Sequence, residues 1–465
     1  MTAIVTSKFR TLNAENFKAD IADAGTSVYV GIGKSDVWSL TTSDTTDTVP
    51  FTPSDTLDQL GEAHQNVFAY KLLGASDVSH VVPRHTWTSG RVYVEYDSDD
   101  PDLFDKAFYV ITSEFKVYKC IKAGASGSTE EPVQTLTAPT PESDGYIWKY
   151  MYTVSVADAE KFLTTSYMPV KTVSLAFATD GAAEAALSEA DYAQYLNQKA
   201  SRDHANAGGI ERIEVVDGGT GYTSDPTVII TGNGNTAAAT ATRTGNAVSS
   251  ITVSNKGTDY TVADVRISGG GGSDASVRAV IAPINGHGVD PVKELGGFFV
   301  GVNTLLSGTG GGDLTVGNDF RQITLVKNPK NFASPNAVAT ATTLNATGAL
   351  DFASKSGTFQ VDELITQGSG SSLVQAFIVS IDSGTGHVFY NQNSKTGYGT
   401  FAHGSGNTVT GQTSSATGTP KSTANAFLVN PEVLKESGQI LFMENRNPIN
   451  RTATQIEDIK VIIEF

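Results

Sequence analysis

The sequence predicts a mainly β protein: a β-rich α+β chain of several domains, with a sandwich-like core and small β modules inserted into it. Three observations predict this. Glycine numbers 46 in 465 residues, above the usual share of about 7 %, so turns are frequent. Short alternating runs of Val, Ile, Thr and aromatics recur between those turns, the pattern of half-buried strands. Long central tracts are poor in charge, whereas both ends mix β-formers, aromatics and fixed charges. At 465 residues the chain is too long for one ordinary core, and 39 % apolar content with 21 Phe and 16 Tyr is enough to bury several.

Taken in order, Ala3–Thr11 (AIVTSKFRT) mixes β-formers with charges and reads as part of the core. Phe17 and Ile21 give weak helical spacing over 16–23. Ser27–Gly33 is a strand running into a glycine turn, followed by Trp38. Leu57, Leu60, Val67 and Phe68 space as one helix over 56–73. Val81-Val82-Pro83-Arg84 ends in a bend, because proline cannot donate to a ladder. Phe108–Ile111 and Phe115–Ile121 read as paired strands, and Asp144-Gly145 as a turn into the aromatic strand Tyr146–Tyr150. The Ala-rich stretch 182–199, with Tyr192, Tyr195 and Leu196 at helical spacing, is a helix.

An internal repeat follows. Ile210–Thr223 (IERIEVVDGGTGYT) recurs 38 residues later as Val248–Thr261 (VSSITVSNKGTDYT). Each copy continues into two further strands, and reads as a three-stranded meander that buries its apolar face only by packing on the other copy. Residues 336–425 form a second charge-poor block of strands and glycine turns, a small barrel or sandwich. The domain reading is therefore a discontinuous β core of 1–90, 291–334 and 426–465. A second β-rich domain spans 91–207, with the helix near 182–199, and the two insertions span 208–285 and 336–425.

Composition excludes several classes. Thirty-two basic residues stand against 49 acidic ones, a net charge of −17, the wrong balance for a duplex nucleic-acid footprint or an anionic membrane surface. Cys120 is the only cysteine, so an internal disulfide is impossible, and manufacture in a reducing compartment is expected. No apolar run approaches the ~18 residues of a membrane span, and no secretory leader is expected.

Candidate chemistry fails at the spacing. Gly31-Ile32-Gly33-Lys34-Ser35 has Val28 where a phosphate loop needs its first glycine. Asp97, Asp99, Asp100, Asp102 and Asp105 cluster, but Pro101 and Asp102 break the calcium-loop pattern, leaving a solvated loop that caps a short turn. The seven histidines lack zinc-type spacing and read as surface or packing residues. No nucleophile elbow is present. No catalytic residue, metal ligand or cofactor is expected, and the chain does not read as an enzyme.

The islands that remain have a consistent order. Ala3–Thr11, Gly33-Lys34-Ser35-Asp36-Val37-Trp38, Val82-Pro83-Arg84 with Trp87, Asp144-Gly145-Tyr146-Ile147-Trp148, Phe320-Arg321-Gln322-Ile323 with Asn328-Pro329, and Gly438–Ile449 (GQILFMENRNPI) together resemble the baseplate wedge subunits of T-even-type contractile-tail bacteriophages, the gene-product-eight family. Val37 stands where that family carries proline. The resemblance covers about 1–170, 290–334 and 426–465, and stops at both insertions. It implies a structural virion protein of the tail baseplate, assembled in the host cytoplasm, homodimeric, and bound to other wedge proteins. A receptor- or glycan-binding adhesin acting through the insertions, or a contact there with a tail fibre or the host surface, is the alternative. Lys8, Arg10, Trp38, Arg84, Trp148, Arg321, Glu444 and Arg446 are the interface or buried-framework candidates, because aromatics and arginines dominate subunit contacts yet large aromatics are usually buried.

Overall fold

The strand Val28–Gly33 is buried along its whole length, a position available only to a strand paired on both sides and covered on both faces. In the computed structural model, which describes residues 3–39, 41–44, 46–203, 208–423 and 426–465, it is the centre of a five-stranded antiparallel sheet ordered Thr343–Asn345, Val67–Leu72, Val28–Gly33, Asp319–Lys327, Gln439–Asn450. A Cβ at Gly31 would lie 2.5 Å from the Thr324 hydroxyl, so glycine is needed for that pairing. The segment read as one helix over 56–73 is two elements. Leu57–Asn66 is helical, with Thr56 accepting from the Gln59 amide, and Val67–Leu72 is a strand. The Val67, Phe68 and Tyr70 side chains suit a pleated, buried surface better than a helix. Mainly β architecture with several sheets is thus established.

The chain divides into two compact units: residues 1–15, 79–301 and 462–465, and residues 16–78 and 302–461. The second holds the sheet just described and the charge-poor block. That block is an eight-stranded sheet ordered Phe352–Ser356, Thr417–Pro420, Val409–Gly411, Leu364–Gln367, Val374–Ile381, Val388–Asn391, Gly348–Leu350, Leu428–Val429. Gly348–Leu350 and Phe352–Ser356 are two halves of one segment bent at Asp351. The first half pairs near one edge and the second forms the other edge. The sheet therefore curls into a half-barrel around Leu350, Phe359, Ile365, Ile378, Val388 and Phe401.

In the first unit, Tyr109–Ile111, Lys116–Lys122, Ile147–Thr153 and Thr140–Pro141 form an antiparallel sheet. Tyr118, Cys120 and Trp148 pack on one side with Tyr93 and Tyr146. Val117 and Met151 pack on the other with Phe108, Tyr109 and Met168. The helix read over 182–199 is broken at Leu187-Ser188, giving Asp180–Ala186 capped by Thr179 and Glu189–Asp203, whose Asp191 amide bonds the Ser188 hydroxyl. Ala3–Thr11, read as part of the core, is mostly exposed and runs into a helix, Ser7–Ala22, since Lys8, Arg10, Leu12 and Ala14 are stronger helix formers than the β-branched residues preceding them.

The repeat block corrects the meander reading. Its six strands interdigitate between copies. Ile210–Thr220 pairs with Ser273–Ile281, Thr227–Gly232 with Ala263–Ser268, and Ala238–Thr244 with Ala247–Asn255. Each pair joins one copy to the other, as a pseudo-two-fold axis requires. Register bulges fall at equivalent places, Ser276/Val277 with Ala238/Ala239 and Val280/Ile281 with Thr242/Arg243. Gly219 and Gly257, 38 residues apart, both take φ 64°, a conformation that glycine adopts without strain. Each copy's tyrosine is clasped by the other copy's glycines: Tyr222 lies against Gly270 and Gly272, and Tyr260 against Gly232 and Gly234. A Cβ on any of these four would come within 3.1 Å of a tyrosine ring atom. Symmetry makes the two clasps equivalent, so Tyr222→Ala and Tyr260→Ala are expected to lower the stability of this block by similar amounts, about 3 kcal/mol each. Denaturant melts of the two variants check this; a difference of severalfold between them would contradict the symmetry.

Candidate functional site

The islands picked out in sequence fall into two groups, one in each unit. In the second unit, the strand Val28–Gly33 passes a bulge at Ile32/Gly33 and turns at Lys34, which holds φ 64°. That turn buries Trp38 at 4 % exposure. Its indole N–H donates to the Arg446 carbonyl at 2.7 Å, and its ring meets Phe51 edge-on at 5.7 Å. The Arg446 carbonyl is free because Arg446, Asn447 and Pro448 loop out of register between the pairs Gln322↔Asn445 and Phe320↔Ile449.

Opposite that bulge sits Arg321, also 4 % exposed. Its guanidinium grips Asp47 in a two-pronged pair at 2.8 Å each, meets Asp319 at 3.0 Å, and donates to the Ser35 carbonyl. Asp47 also accepts from the Trp38 amide at 2.9 Å. Burial raises the Asp47 carboxyl, but Arg321 and the amide outweigh it and hold the pKa below the usual value. Arg446 itself points outward to Glu444 at 2.9 Å, with both side chains more than a third exposed, a pair worth little to stability.

Beside Trp38 lies a buried ionic knot. Lys34 and Lys395 both bind one Asp36 carboxylate oxygen, at 2.6 and 2.5 Å, and the Asn393 amide bonds the other at 2.9 Å. A cleft of about 230 Å³ opens above it, lined by Lys34, Trp38, Phe51, Gln322, Met443 and Asn445 among others. The Lys34 amide is committed to the Asn66 carbonyl at 3.0 Å. Both groups that a phosphate would need from Lys34 are thus already in use.

In the first unit, Arg10 lies 3.6 Å over the Phe298 ring and binds Glu464 and the Phe465 carbonyl. Arg84 donates to the Thr164 carbonyl at 2.9 Å. Trp148 is 1 % exposed, stacked on Tyr146 at 5.6 Å and 11°, with Tyr93 edge-on. Lys8 is exposed on the first turn of its helix. Of the candidates, then, Trp38, Trp148 and Arg321 are buried framework, Arg10 and Arg84 are bonded to their own chain, and Lys8, Glu444 and Arg446 face solvent.

Several framework residues escaped sequence reasoning. Asp36 and Lys395 are far apart in the chain, and no local spacing links them. Asp144 seats the 128–130 loop through the Ser128 hydroxyl and the Thr129 and Glu130 amides, at 2.8–3.1 Å. Arg451, fully buried, binds Glu457 at 2.9 Å and two carbonyls. The aspartate loop is only in part solvated. Asp100 caps the Asp102 amide and binds Lys106, but Asp97 is clamped by Arg278. Two histidines prove deeply set: His80 bonds the Gly297 carbonyl at 2.8 Å, and His287 is enclosed; His204 lies outside the described residues. No group of three or more metal-ligating side chains occurs among the described residues, and no described helix is long and apolar enough to cross a membrane.

No family model matches the chain, and no curated protein is significantly similar to it.

Arg321→Ala leaves Asp47 and Asp319 without their buried cation and is expected to cost about 3–5 kcal/mol. Trp38→Phe keeps the ring contact, loses the indole hydrogen bond, and is expected to cost about 1–2 kcal/mol. Chemical denaturation of the two variants checks the order. Asp362 gives a pH prediction. Burial and the neighbouring Asp319 charge raise its carboxyl to about 7, against partial opposing effects of Arg321 and the Asp319 amide, and its Oδ1 is buried with no partner among the described residues. A carboxyl whose folded pKa is raised binds more protons folded than unfolded, so stability falls as pH rises from ~4 to ~7. Asp362→Asn is expected to stabilise the protein by about 2 kcal/mol at pH 8, with the gain nearly gone at pH 4. Melting curves at the two pH values read this out, and equal gains at both would contradict it.

Proposed function

We propose that this chain is a structural baseplate wedge subunit of a contractile phage tail, a homodimeric scaffold that links neighbouring wedge proteins. One observation carries the proposal. The segments that resemble the wedge family are the segments that build the framework, and the resemblance stops where two blocks with cores of their own begin. Those blocks are 208–285, around Ile210, Ile213, Tyr260, Val265 and Ala279, and 336–425, around the half-barrel interior.

The chemistry of the framework supports the same reading. The Trp38, Arg321, Arg10 and Arg84 polar groups are committed to the protein's own carbonyls and carboxylates. Such a frame is stiff, and it offers neighbours shape rather than a reacting group. Each block also enters and leaves the framework at one place. The Ala282 amide bonds the Gly209 carbonyl at 2.8 Å, and the Glu432 amide bonds the Asn345 carbonyl at 2.9 Å.

Light scattering is expected to give a dimer near twice 48.8 kDa, and cryo-microscopy of the tail is expected to find the chain in the baseplate. A strictly monomeric chain missing from the particle would defeat the proposal. Because the ends of each block are adjacent, residues 210–281 or 348–428 are replaceable by a short glycine linker. Assembly lost on deletion assigns the block to the scaffold; assembly kept with adsorption lost assigns it to adhesion at the tail tip.

A further inference from the structure

The repeat block is seated on the rest of its unit by a compact ionic joint. Arg212 and Arg278 stand on paired strands of the block and grip the segment Glu95–Asp99. Arg212 binds Glu95 at 3.0 Å and the Tyr96 carbonyl at 2.7 Å; Arg278 binds Asp97 at 2.8 Å. The Tyr96 hydroxyl donates to the Ile281 carbonyl at 3.1 Å, and the Ile281 amide donates to the Ser98 hydroxyl at 3.0 Å.

Under this grip lies His287, on the segment that leads out of the block. Its side chain is 8 % exposed. Groups on several elements surround it. Tyr96 meets its ring edge-on at 4.9 Å. Glu211, on the first strand of the block, stands 3.5 Å from Nε2 and is also held by Lys256 at 2.7 Å. Lys119, on the sheet strand beneath, is fully buried and paired with Glu294, on the short helix Pro291–Glu294. Lys149 lies opposite Lys119 in the register and bonds the Ser201 hydroxyl at 2.9 Å. Among the described residues, neither His287 ring nitrogen has a hydrogen-bond partner.

We infer that this joint is acid-released: a proton taken up by His287 places a second cation beside buried Lys119 and loosens the seat of the repeat block, while the block itself stays folded. The block's own core, with both tyrosine clasps, contains no histidine, so nothing within it answers to the same proton.

The sign follows from the surroundings. Burial first, and Lys119 second, lower the His287 pKa; Glu211 and Glu294 oppose them without prevailing. A base with a lowered pKa in the closed joint binds fewer protons closed than open, so closure is favoured above the ordinary histidine value of ~6.5 and weakens as pH falls below it. Glu211 stays ionised throughout, since its carboxyl is held near 2, where burial is outweighed by His287 and Lys256. Lys149, lowered to about 8 by burial, titrates above this window.

Hydrogen exchange on the full chain, corrected for intrinsic rates, tests the inference independently of what the chain assembles with. Between about pH 7.5 and about pH 5, opening of 95–99 and 281–288 is expected to rise on the order of ten-fold, while strands Thr227–Gly232 and Ala263–Ser268 keep their protection. His287→Gln is expected to abolish that rise. Should that variant fail to fold, Glu211→Gln is expected to deepen the acid opening, because it removes a carboxylate that favours the imidazolium. No rise in the unmodified chain, a rise that survives His287→Gln, an acid opening that Glu211→Gln leaves unchanged, or a block that opens in step with its seat would each overturn the inference.

Discussion

Each unit depends on one constraint: a cation taken out of water must meet a carboxylate there, and in this chain the carboxylate comes from a distant segment. Arg321 and Asp47 are 274 residues apart in the second unit, and Lys119 and Glu294 are 175 apart in the first. Leaving either partner unmatched would cost several kcal/mol, whereas mispairing finds no second geometry that satisfies a guanidinium's fork. The ionic contacts therefore fix which segments lie together more sharply than apolar packing does, since Val, Ile and Leu pack acceptably against many partners. The Arg446 bulge shows the same logic in the backbone. Three residues leave the ladder, and the carbonyl so freed is taken by an indole N–H rather than left buried and bare.

The repeat block solves a different problem. A three-stranded unit of about 38 residues has too little apolar surface to fold alone and would expose two edges. Exchanging partners across a pseudo-two-fold axis lets every strand of one copy pair with a strand of the other. The tyrosine clasps then make the two copies depend on each other, because each ring fills a space that only the other copy's glycines leave open. The half-barrel curls by another route, a single bent segment near both edges of one sheet. Both solutions avoid long exposed edges in blocks with few charges to protect them.

The class of fold was legible because short runs of β-branched and aromatic residues bounded by turns are a local signal, and the strands at 28–33, 109–111, 147–153 and through the repeat carry it. What was not legible depended on distance. The repeat offset was plain at Tyr222 and Tyr260, yet the same six strands fit two meanders or one interdigitated pair, and local pattern does not choose between them. Helix propensity at Lys8–Ala14 outweighed the β-formers at Ile4 and Val5, and the helix at 57–66 ended where aromatic and β-branched residues began, an end that apolar spacing alone runs past. Trp38, Trp148 and Arg321 stood out as candidates because they sit in the segments that resemble the wedge family and because aromatics and arginines dominate subunit contacts. Asp36, Lys395, Asp97 and Arg278 did not, since each looks ordinary until its partner, more than 150 residues away, is beside it.

Adjacent entry and exit points explain how a framework tolerates such large blocks. The entropy of closing a loop grows only with the logarithm of its length, so a long insertion whose ends already touch adds little cost. The cost lies in the seat, where backbone leaves the framework and polar groups must still be satisfied. At the half-barrel the seat is extended by Asn393 and Lys395, which reach into the knot at Asp36 and tie the block to the turn at Lys34–Trp38. At the repeat block it is extended by Arg212, Arg278 and His287. An insertion held by apolar contact alone would be indifferent to pH; one held by buried ionic groups is not. The two blocks differ in the buried group that pH acts on: His287 beneath the repeat block, whose pKa burial and Lys119 lower, and Asp362 in the half-barrel, whose carboxyl burial raises to about 7. Acid therefore acts on them in opposite directions, weakening the first while relieving the second.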